Sequence, residues 1–160
     1  MSLLIYDGQR KTLTLLDRDQ KRVGVWPGNN RVTNDIVAKY HLTGLPNGDY
    51  VVQDRNYPSH DGPKLNYKSN AKVGPAGIIK LRPFTINGKL HKDVGVHAGR
   101  KGVPDQSSAA GVGVNHETNL CIRTTDVAMS MIRLTMLEDP IKTLNVRGNS
   151  QIGRPLAPRC

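Results

Sequence analysis

The segment "LLIYDGQRKTLTLLDRDQKRVGVW" at residues 3–26 decides the fold class. Short runs of Leu, Ile, Val and Thr alternate there with polar residues, and two polar segments separate the runs. Alternation with a period of two is typical of strands that bury one face, while Asp7-Gly8 and the polar residues 17–20 favour turns. The segment predicts three antiparallel strands, with a positive φ supplied at the Asp7-Gly8 turn.

The chain has the length and composition of one folded domain. Its 160 residues are 37% hydrophobic and include sixteen glycines. A domain of this size buries roughly 70% of the surface that its unfolded chain exposes. It therefore needs neither a metal ion nor a disulfide framework for stability, and two cysteines are too few for such a framework.

The charge balance is strongly basic. Lys and Arg number 23 against 13 Asp and Glu, which gives a net charge of +10. This excess favours a polyanionic partner such as nucleic acid, an anionic envelope polymer or a membrane surface. One Phe, one Trp and five Tyr, without a basic-aromatic run, offer few platforms for stacking bases. Composition therefore argues against nucleic acid as the partner.

The opening residues lack the features of a targeting segment. "MSLLIYDGQRKTLTLLDRD" has no basic region followed by a continuous apolar run, and Asp7 interrupts its apolar residues early. We expect no signal peptide and no membrane span. If the protein works outside the cytoplasm, it needs another export route or a longer precursor.

Further along the chain, strand patterns alternate with short helical signals. Residues 33–40 predict one or two helical turns capped by Thr33 or Asn34, and a turn at residues 46–48 leads into a strand at residues 50–53. "IKTLNV" at residues 141–146 predicts a last strand.

Three other segments predict turns and loops. Asn87-Gly88 is a strong two-residue hairpin signal between apolar runs. Residues 54–75 predict loops crossing one face, and residues 98–115, rich in small residues and Gly, predict a long functional loop. Residues 145–160 predict a basic C-terminal tail.

One longer helix is predicted at residues 124–137. Thr124 or Thr125 suits its N-cap, and Pro140 lies beyond its end. Apolar residues recur at three- and four-residue spacing, which predicts a buried face formed by Val127, Ala128, Met131, Ile132 and Leu134. The whole pattern predicts a β-rich α+β domain over residues 1–144 with this one main helix.

Two residues stand out as candidates for chemistry. Cys121 lies three or four residues before the predicted helix, and a helix N-terminus with nearby cations favours a reactive thiolate. His97 lies on a strand between Gly95 and Gly99, which share its face and would leave open space before the imidazole. A pairing of Cys121 with Cys160 stays open.

The same residues also permit plainer interpretations. A lone Cys is more often a small buried hydrophobe than a nucleophile. Arg123 is most simply a solvated basic residue, Tyr50 a core strand residue, and His116 either a second imidazole beside the thiol or an exposed loop residue. A zinc site of His97, His116 and Cys121 has suitable residue types but no metal-binding spacing.

The order of two short motifs resembles a known family. "GVHAG" at residues 95–99, a Gly- and Ser-containing loop, and "TNLCIRTTDVAM" at residues 118–129 resemble the signature of the YkuD-like L,D-transpeptidases. That signature is a His-Gly strand followed by Ser/Thr-His-Gly-Cys-Ile-Arg before a helix. "LTGLPNGDYVV" at residues 42–52 resembles the family's Pro-x-Gly-x-Tyr element, so the resemblance spans about residues 3–137. It is strongest to small members without a signal peptide among bacterial toxins delivered into the periplasm of competitors.

The resemblance implies a YkuD-like β-sandwich and a cysteine acyltransferase that needs no cofactor or metal. Cys121 would attack the carbonyl between the third and fourth residues of a peptidoglycan stem tetrapeptide, with His97 as base. Backbone N–H groups around Leu120 and Cys121, in the loop that includes Asn119, would hold the oxyanion, although the family has His at the position of Asn119 and Gly at that of Leu120. The residues implied to bind substrate are Arg123, Thr118, His116, Gly99 and Tyr50.

The resemblance also implies a place of action and partners. The protein would act in the periplasm or cell wall after export by a specialised secretion route, with a cognate immunity protein or secretion machinery as a further partner. The rival hypotheses are a non-catalytic basic cell-wall-binding domain on the same fold and a cysteine amidase or peptidase of peptidoglycan. In the latter families Cys precedes His along the chain, whereas here His97 precedes Cys121.

Overall fold

A computed structural model describes residues 1–53, 74–100 and 113–149. The described part is a β-rich α+β structure, as predicted. Its elements are β1 (Ser2–Asp7), β2 (Thr12–Leu16), β3 (Arg22–Asn29), α1 (Asn34–Tyr40), β4 (Gly48–Val51), β5 (Ile78–Lys80), β6 (Phe84–Ile86), β7 (Lys89–His91), β8 (Gly95–His97), β9 (Ile122–Thr124), α2 (Asp126–Glu138) and β10 (Ile141–Arg147).

The opening segment forms the predicted antiparallel strands β1, β2 and β3. At the first turn, the left-handed residue is Lys11, with φ of 54°, rather than Gly8. The Asp7 carboxylate stabilises this turn by accepting hydrogen bonds from the N–H groups of Gln9 and Arg10, both at 3.0 Å. The positive φ predicted at glycine therefore lies at Lys11, while the Asp7 side chain holds the turn through hydrogen bonds.

Eight strands form one continuous curled sheet in the order β4-β10-β1-β2-β3-β9-β8-β5. Pairs β1/β10 and β8/β9 are parallel, and the other neighbours are antiparallel. An isolated bridge between Val52 and Leu81 joins the two ends of this order, with the hydrogen bonds Gln53 N–H to Lys80 O and Arg82 N–H to Val51 O, both at 2.8 Å. The curled sheet thereby wraps around the hydrophobic core.

Helix α2 begins after Thr125, whose hydroxyl accepts a hydrogen bond from the Ala128 N–H at 3.0 Å. Its buried face consists of Ala128, Met129, Ile132 and Met136. The predicted face was partly wrong, because three of its members are exposed: Val127, Met131 and Leu134. The helix carries two apolar stripes, and periodicity alone does not indicate which stripe packs on the sheet.

Thr33 caps α1, and Asn87 and Gly88 have φ of 51° and 78° in the turn between β6 and β7, as the hairpin signal predicted. Strand β10 extends to Arg147, three residues beyond the predicted domain boundary at residue 144. The predicted loop at 54–75, the long loop at 98–115 and the tail lie mostly outside the described residues.

Candidate functional site

The fold brings His97 and Cys121 to one cavity. Strand β8 runs parallel to β9, with Val96 opposite Ile122 and His97 opposite Arg123. Cys121 lies two residues before Arg123 and therefore on the same face of the sheet. Both His97 and Cys121 line a cavity of about 440 Å³.

His97 has a defined tautomer in this arrangement. Its ring is only 3% exposed, and Nδ1 lies 2.7 Å from the backbone oxygen of Ala98. A carbonyl oxygen can only accept a hydrogen bond, so in the neutral ring Nδ1 carries the proton. Nε2 is then the basic nitrogen, as a general base at this position requires.

Gly95 has a different role from the one predicted. A Cβ at this position would overlap the backbone oxygen of Ile79 on the neighbouring strand β5. The backbone of β5 therefore occupies the space where a side chain of residue 95 would lie, and Gly95 does not leave open space before the imidazole of His97. The cavity at His97 comes instead from the loop residues that precede and follow the strands.

Cys121 is buried, with 9% of its surface exposed. Its Sγ lies 3.8 Å from the backbone oxygen of Asp93. Strand β9 separates the thiol from α2, which begins at Asp126. Three extended residues span about 10 Å, and the field of a helix terminus falls off within one turn. The prediction that the helix N-terminus activates the thiol is therefore wrong.

Arg123 is one of the positively charged residues that line the cavity. It is 2% exposed, so the solvated interpretation is wrong. Its guanidinium donates hydrogen bonds to Ala98 O at 2.8 Å and to His116 O at 3.2 Å. Arg123 thus braces the two segments that flank the cavity, and it shares the Ala98 acceptor with His97 Nδ1.

The pKa of Arg123 reflects this buried position. Burial lowers it to about 10, the positive charge of Arg100 lowers it further, and the charge of Cys121 acts in the opposite direction. The guanidinium is still protonated at neutral pH. Because a Coulombic interaction acts on both of its partners, the positive charge of Arg123 likewise favours the thiolate form of Cys121.

The turn before Cys121 contains an unusual backbone conformation. Leu120 is 1% exposed and has φ of 92°, in the region that L-residues other than Asn and Asp rarely enter. Such a conformation costs about 1–3 kcal/mol and persists only where the surroundings enforce it. Leu120 therefore holds the positive φ that a glycine at this motif position would adopt without strain.

Side chains on both sides of the turn support it. Thr118 is buried, and its hydroxyl donates to the Cys121 carbonyl at 2.6 Å, so it serves the turn as well as lining the cavity. Asn119 is exposed at the cavity and accepts a hydrogen bond from the Thr33 hydroxyl at 3.3 Å. Thr33 in turn caps α1, which links that helix to the turn.

His116 also lines the cavity and is half-buried. Its Nδ1 lies 3.0 Å from Glu117 O, which places the proton of the neutral ring on Nδ1. The structure therefore brings it near the thiol rather than onto an exposed loop.

Two predicted substrate-binding residues do not line this cavity. Gly99, which follows β8, has φ of 103°, a conformation that favours glycine. Tyr50 lies on β4, where its hydroxyl donates to Pro46 O at 2.6 Å and its ring packs edge-on against Phe84. Burial raises the pKa of Tyr50 to about 12. Its surroundings are those of a structural residue.

Sequence reasoning missed several residues of the cavity wall. Lys80, Lys92, Asp93 and Arg100 all line it, and the Lys80 ammonium lies 3.7 Å from the Asp93 carboxylate. With Arg123, the wall carries more positive than negative charge. The sequence offered one signal, since the charged pair Lys92-Asp93 is separated from β8 by Val94 alone.

A second missed residue supports the turn from behind. Asn30, which follows β3 and is 5% exposed, donates hydrogen bonds from Nδ2 to both Leu120 O at 2.7 Å and Cys121 O at 3.1 Å. No sequence signal pointed to it, because these contacts join positions ninety residues apart in the chain.

Across residues 1–53, 74–100 and 113–149, no three His, Cys, Asp or Glu side chains are grouped to hold a metal ion. Neither α1 nor α2, the α-helices of those ranges, is long and apolar enough to cross a membrane.

Comparisons with known proteins bear on the fold alone. No protein-family model matches the chain, and no curated protein matches it significantly. The chain is similar in structure to Bd1075 of Bdellovibrio bacteriovorus, with a TM-score of 0.61 and 13% sequence identity. The similarity covers 92% of this chain and 48% of that one, so the chain spans about half the length of this structural neighbour.

Proposed function

We propose that the protein is a cysteine-dependent L,D-transpeptidase or L,D-carboxypeptidase of the YkuD-like kind, acting on peptidoglycan stem tetrapeptides. The observation that carries the proposal is the shared cavity of His97 and Cys121, with the basic Nε2 defined by the Nδ1 contact to Ala98. The motif order of the sequence supplies the substrate class.

The proposed reaction begins with proton transfer from the Cys121 thiol to Nε2 of His97. The thiolate attacks the carbonyl carbon between the third and fourth stem residues and forms a tetrahedral oxyanion. The C–N bond then breaks, the proton passes from His97 to the leaving amine, and D-alanine departs. A thioester remains on the enzyme.

The second half of the reaction restores the thiol. A stem amine, a free D-amino acid or water attacks the thioester carbonyl, and His97 accepts the proton that the nucleophile loses. The C–S bond breaks, the sulfur leaves with its electron pair, and His97 returns the proton to it. The acceptor determines whether the product is a cross-link, an exchanged stem or a shortened stem. The positive cavity wall suits a substrate that carries carboxylates, because opposite charges attract across a partly dry site.

The setting of the reaction follows from the same proposal. Its polymer substrate lies in the periplasm or cell wall, which a specialised secretion route would reach, and a toxin of this kind would have a cognate immunity protein. The net charge of +10 suits an anionic envelope.

The test is incubation with purified tetrapeptide muropeptides followed by mass spectrometry. Wild type is expected to release D-alanine, exchange it or form dimers, and Cys121→Ala and His97→Ala are expected to abolish each change. Cys160→Ala is the matched control for loss of a thiol and should retain activity. Unchanged muropeptides with folded wild type would contradict the proposal, and binding to sacculi without conversion would favour the non-catalytic wall-binding domain.

A further inference from the structure

Asn30 is a buried amide whose hydrogen-bonding capacity is fully used at the back of the candidate site. Its two Nδ2 protons go to the carbonyls of Leu120 and Cys121. Its Oδ1 accepts from the Leu45 N–H and from the Asn149 side-chain amide. Since carbonyls only accept and N–H groups only donate, these partners determine the orientation of the amide.

The backbone of Asn30 is held as well. Its N–H donates to the hydroxyl of Tyr6 at 3.0 Å, and Tyr6 is only 2% exposed on β1. The amide is therefore attached to the core of the sheet through main chain and side chain. A group anchored in this way can impose an orientation on the turn that it contacts.

The direction of one peptide follows from these contacts. In a trans peptide, the C=O and the N–H point in opposite directions. Because the Leu120 carbonyl points at Asn30, the N–H of Cys121 points away from it. In an acyl transfer by Cys121, that N–H is a donor to the developing oxyanion, and its value depends on being aimed before the reaction begins.

We propose that Asn30 is a positioning residue that aims the Cys121 N–H at the oxyanion by holding the Leu120 and Cys121 carbonyls. This inference rests on the proposed function for its physiological substrate, although it concerns any acyl transfer to Cys121. Asn30, although far from Leu120 in sequence, thus supports the turn in which Leu120 has a positive φ.

Two reagents separate oxyanion stabilisation from thiol reactivity. With p-nitrophenyl acetate, the thiolate attacks the ester carbonyl, an oxyanion forms, and nitrophenolate leaves with the C–O electron pair. With iodoacetamide, a C–S bond forms as iodide leaves, and no oxyanion arises. The ratio of the acetylation rate to the alkylation rate at Cys121 therefore reports the oxyanion donors.

Asn30→Ala is expected to lower this ratio at least tenfold, since removal or misplacement of one oxyanion donor commonly costs about 10²–10³ in rate. Asn30→Ser, which keeps one donor, should fall between Asn30→Ala and wild type. Ser2→Ala is the control, because it removes another buried hydrogen bond, to Asp139, away from the cavity. Its ratio should match wild type at temperatures where all variants are folded.

The outcomes are distinguishable from failure of the proposed function. If muropeptides stay unchanged but the ratio of acetylation to alkylation is lowered in the Asn30 variants, the proposed substrate is refuted and the positioning role of Asn30 is supported. An unchanged ratio in folded Asn30→Ala would overturn the positioning role and make Asn30 purely structural. If neither Asn30 variant folds, Asn149→Ala, which removes one anchor of the amide, is measured in the same way, and an unchanged ratio there would also overturn it.

Discussion

Replacement of Leu120 tests whether the turn before Cys121 is strained. Truncation of a fully buried Leu to Ala costs about 2–5 kcal/mol, and here the alanine would keep the unfavourable φ of 92°. Glycine loses the same side chain but is relieved of about 1–3 kcal/mol of strain, against about 0.5–1 kcal/mol of extra unfolded-state entropy. We therefore expect Leu120→Gly to be about 0.5–2 kcal/mol more stable than Leu120→Ala.

The assay is urea unfolding of both variants, and their free energies of unfolding are compared with the same dependence on urea concentration for both. Leu13 provides the matched pair, since it is fully buried in β2 and is not a residue of positive φ. There, glycine should be less stable than alanine by about 0.5–1 kcal/mol. If the order of glycine and alanine is the same at both positions, Leu120 is not strained.

Three further outcomes follow from buried groups. Burial lowers the pKa of His91 below its usual 6.5, so the unfolded chain binds a proton more readily than the folded chain, and the free energy of unfolding should fall as pH drops below about 6.5. In urea unfolding at pH 7.5 and pH 5, His91→Phe should lose less of its free energy of unfolding than wild type. An equal loss in the two proteins would contradict this. Gly95→Ala must push β5 from β8 at Ile79 and should cost about 1–3 kcal/mol in thermal unfolding, whereas a change under about 0.5 kcal/mol would show that the strands yield freely. Arg123→Gln should slow alkylation of the Cys121 thiol at pH 7 by about tenfold, because loss of the positive charge of Arg123 disfavours the thiolate. Arg133→Gln, which changes an exposed arginine of α2, should leave the rate of alkylation unchanged.

Local sequence patterns predicted the elements of this fold better than their packing. The three opening strands and the Asn87-Gly88 turn were predictable because alternation and turn chemistry act within a few residues. The buried face of α2 was not, because Met129 and Met131 belong to two apolar stripes that both have helical spacing. Only contact with the sheet selects between them.

The candidate site shows the same division. His97 and Cys121 were predictable as a pair, since each lies in a recognisable short motif. The prediction that a helix N-terminus activates the thiol was wrong, because the sequence pattern does not distinguish the three-residue strand β9 from a loop. Asn30 was not predictable at all, because its partners come from distant parts of the chain.

Asn119 and Leu120, the two residues that differ from the motif which the sequence resembles, lie in the same turn. A glycine before the cysteine would take the positive φ without support, whereas Leu120 takes it with its side chain buried and its carbonyl held by Asn30. Asn119 contacts Thr33 at the start of α1 rather than the thiol. Long-range hydrogen bonds and core packing thus hold the positive φ of this turn, in place of glycine's conformational freedom. Changes at Asn30 should therefore affect the site more than changes at the exposed Asn119.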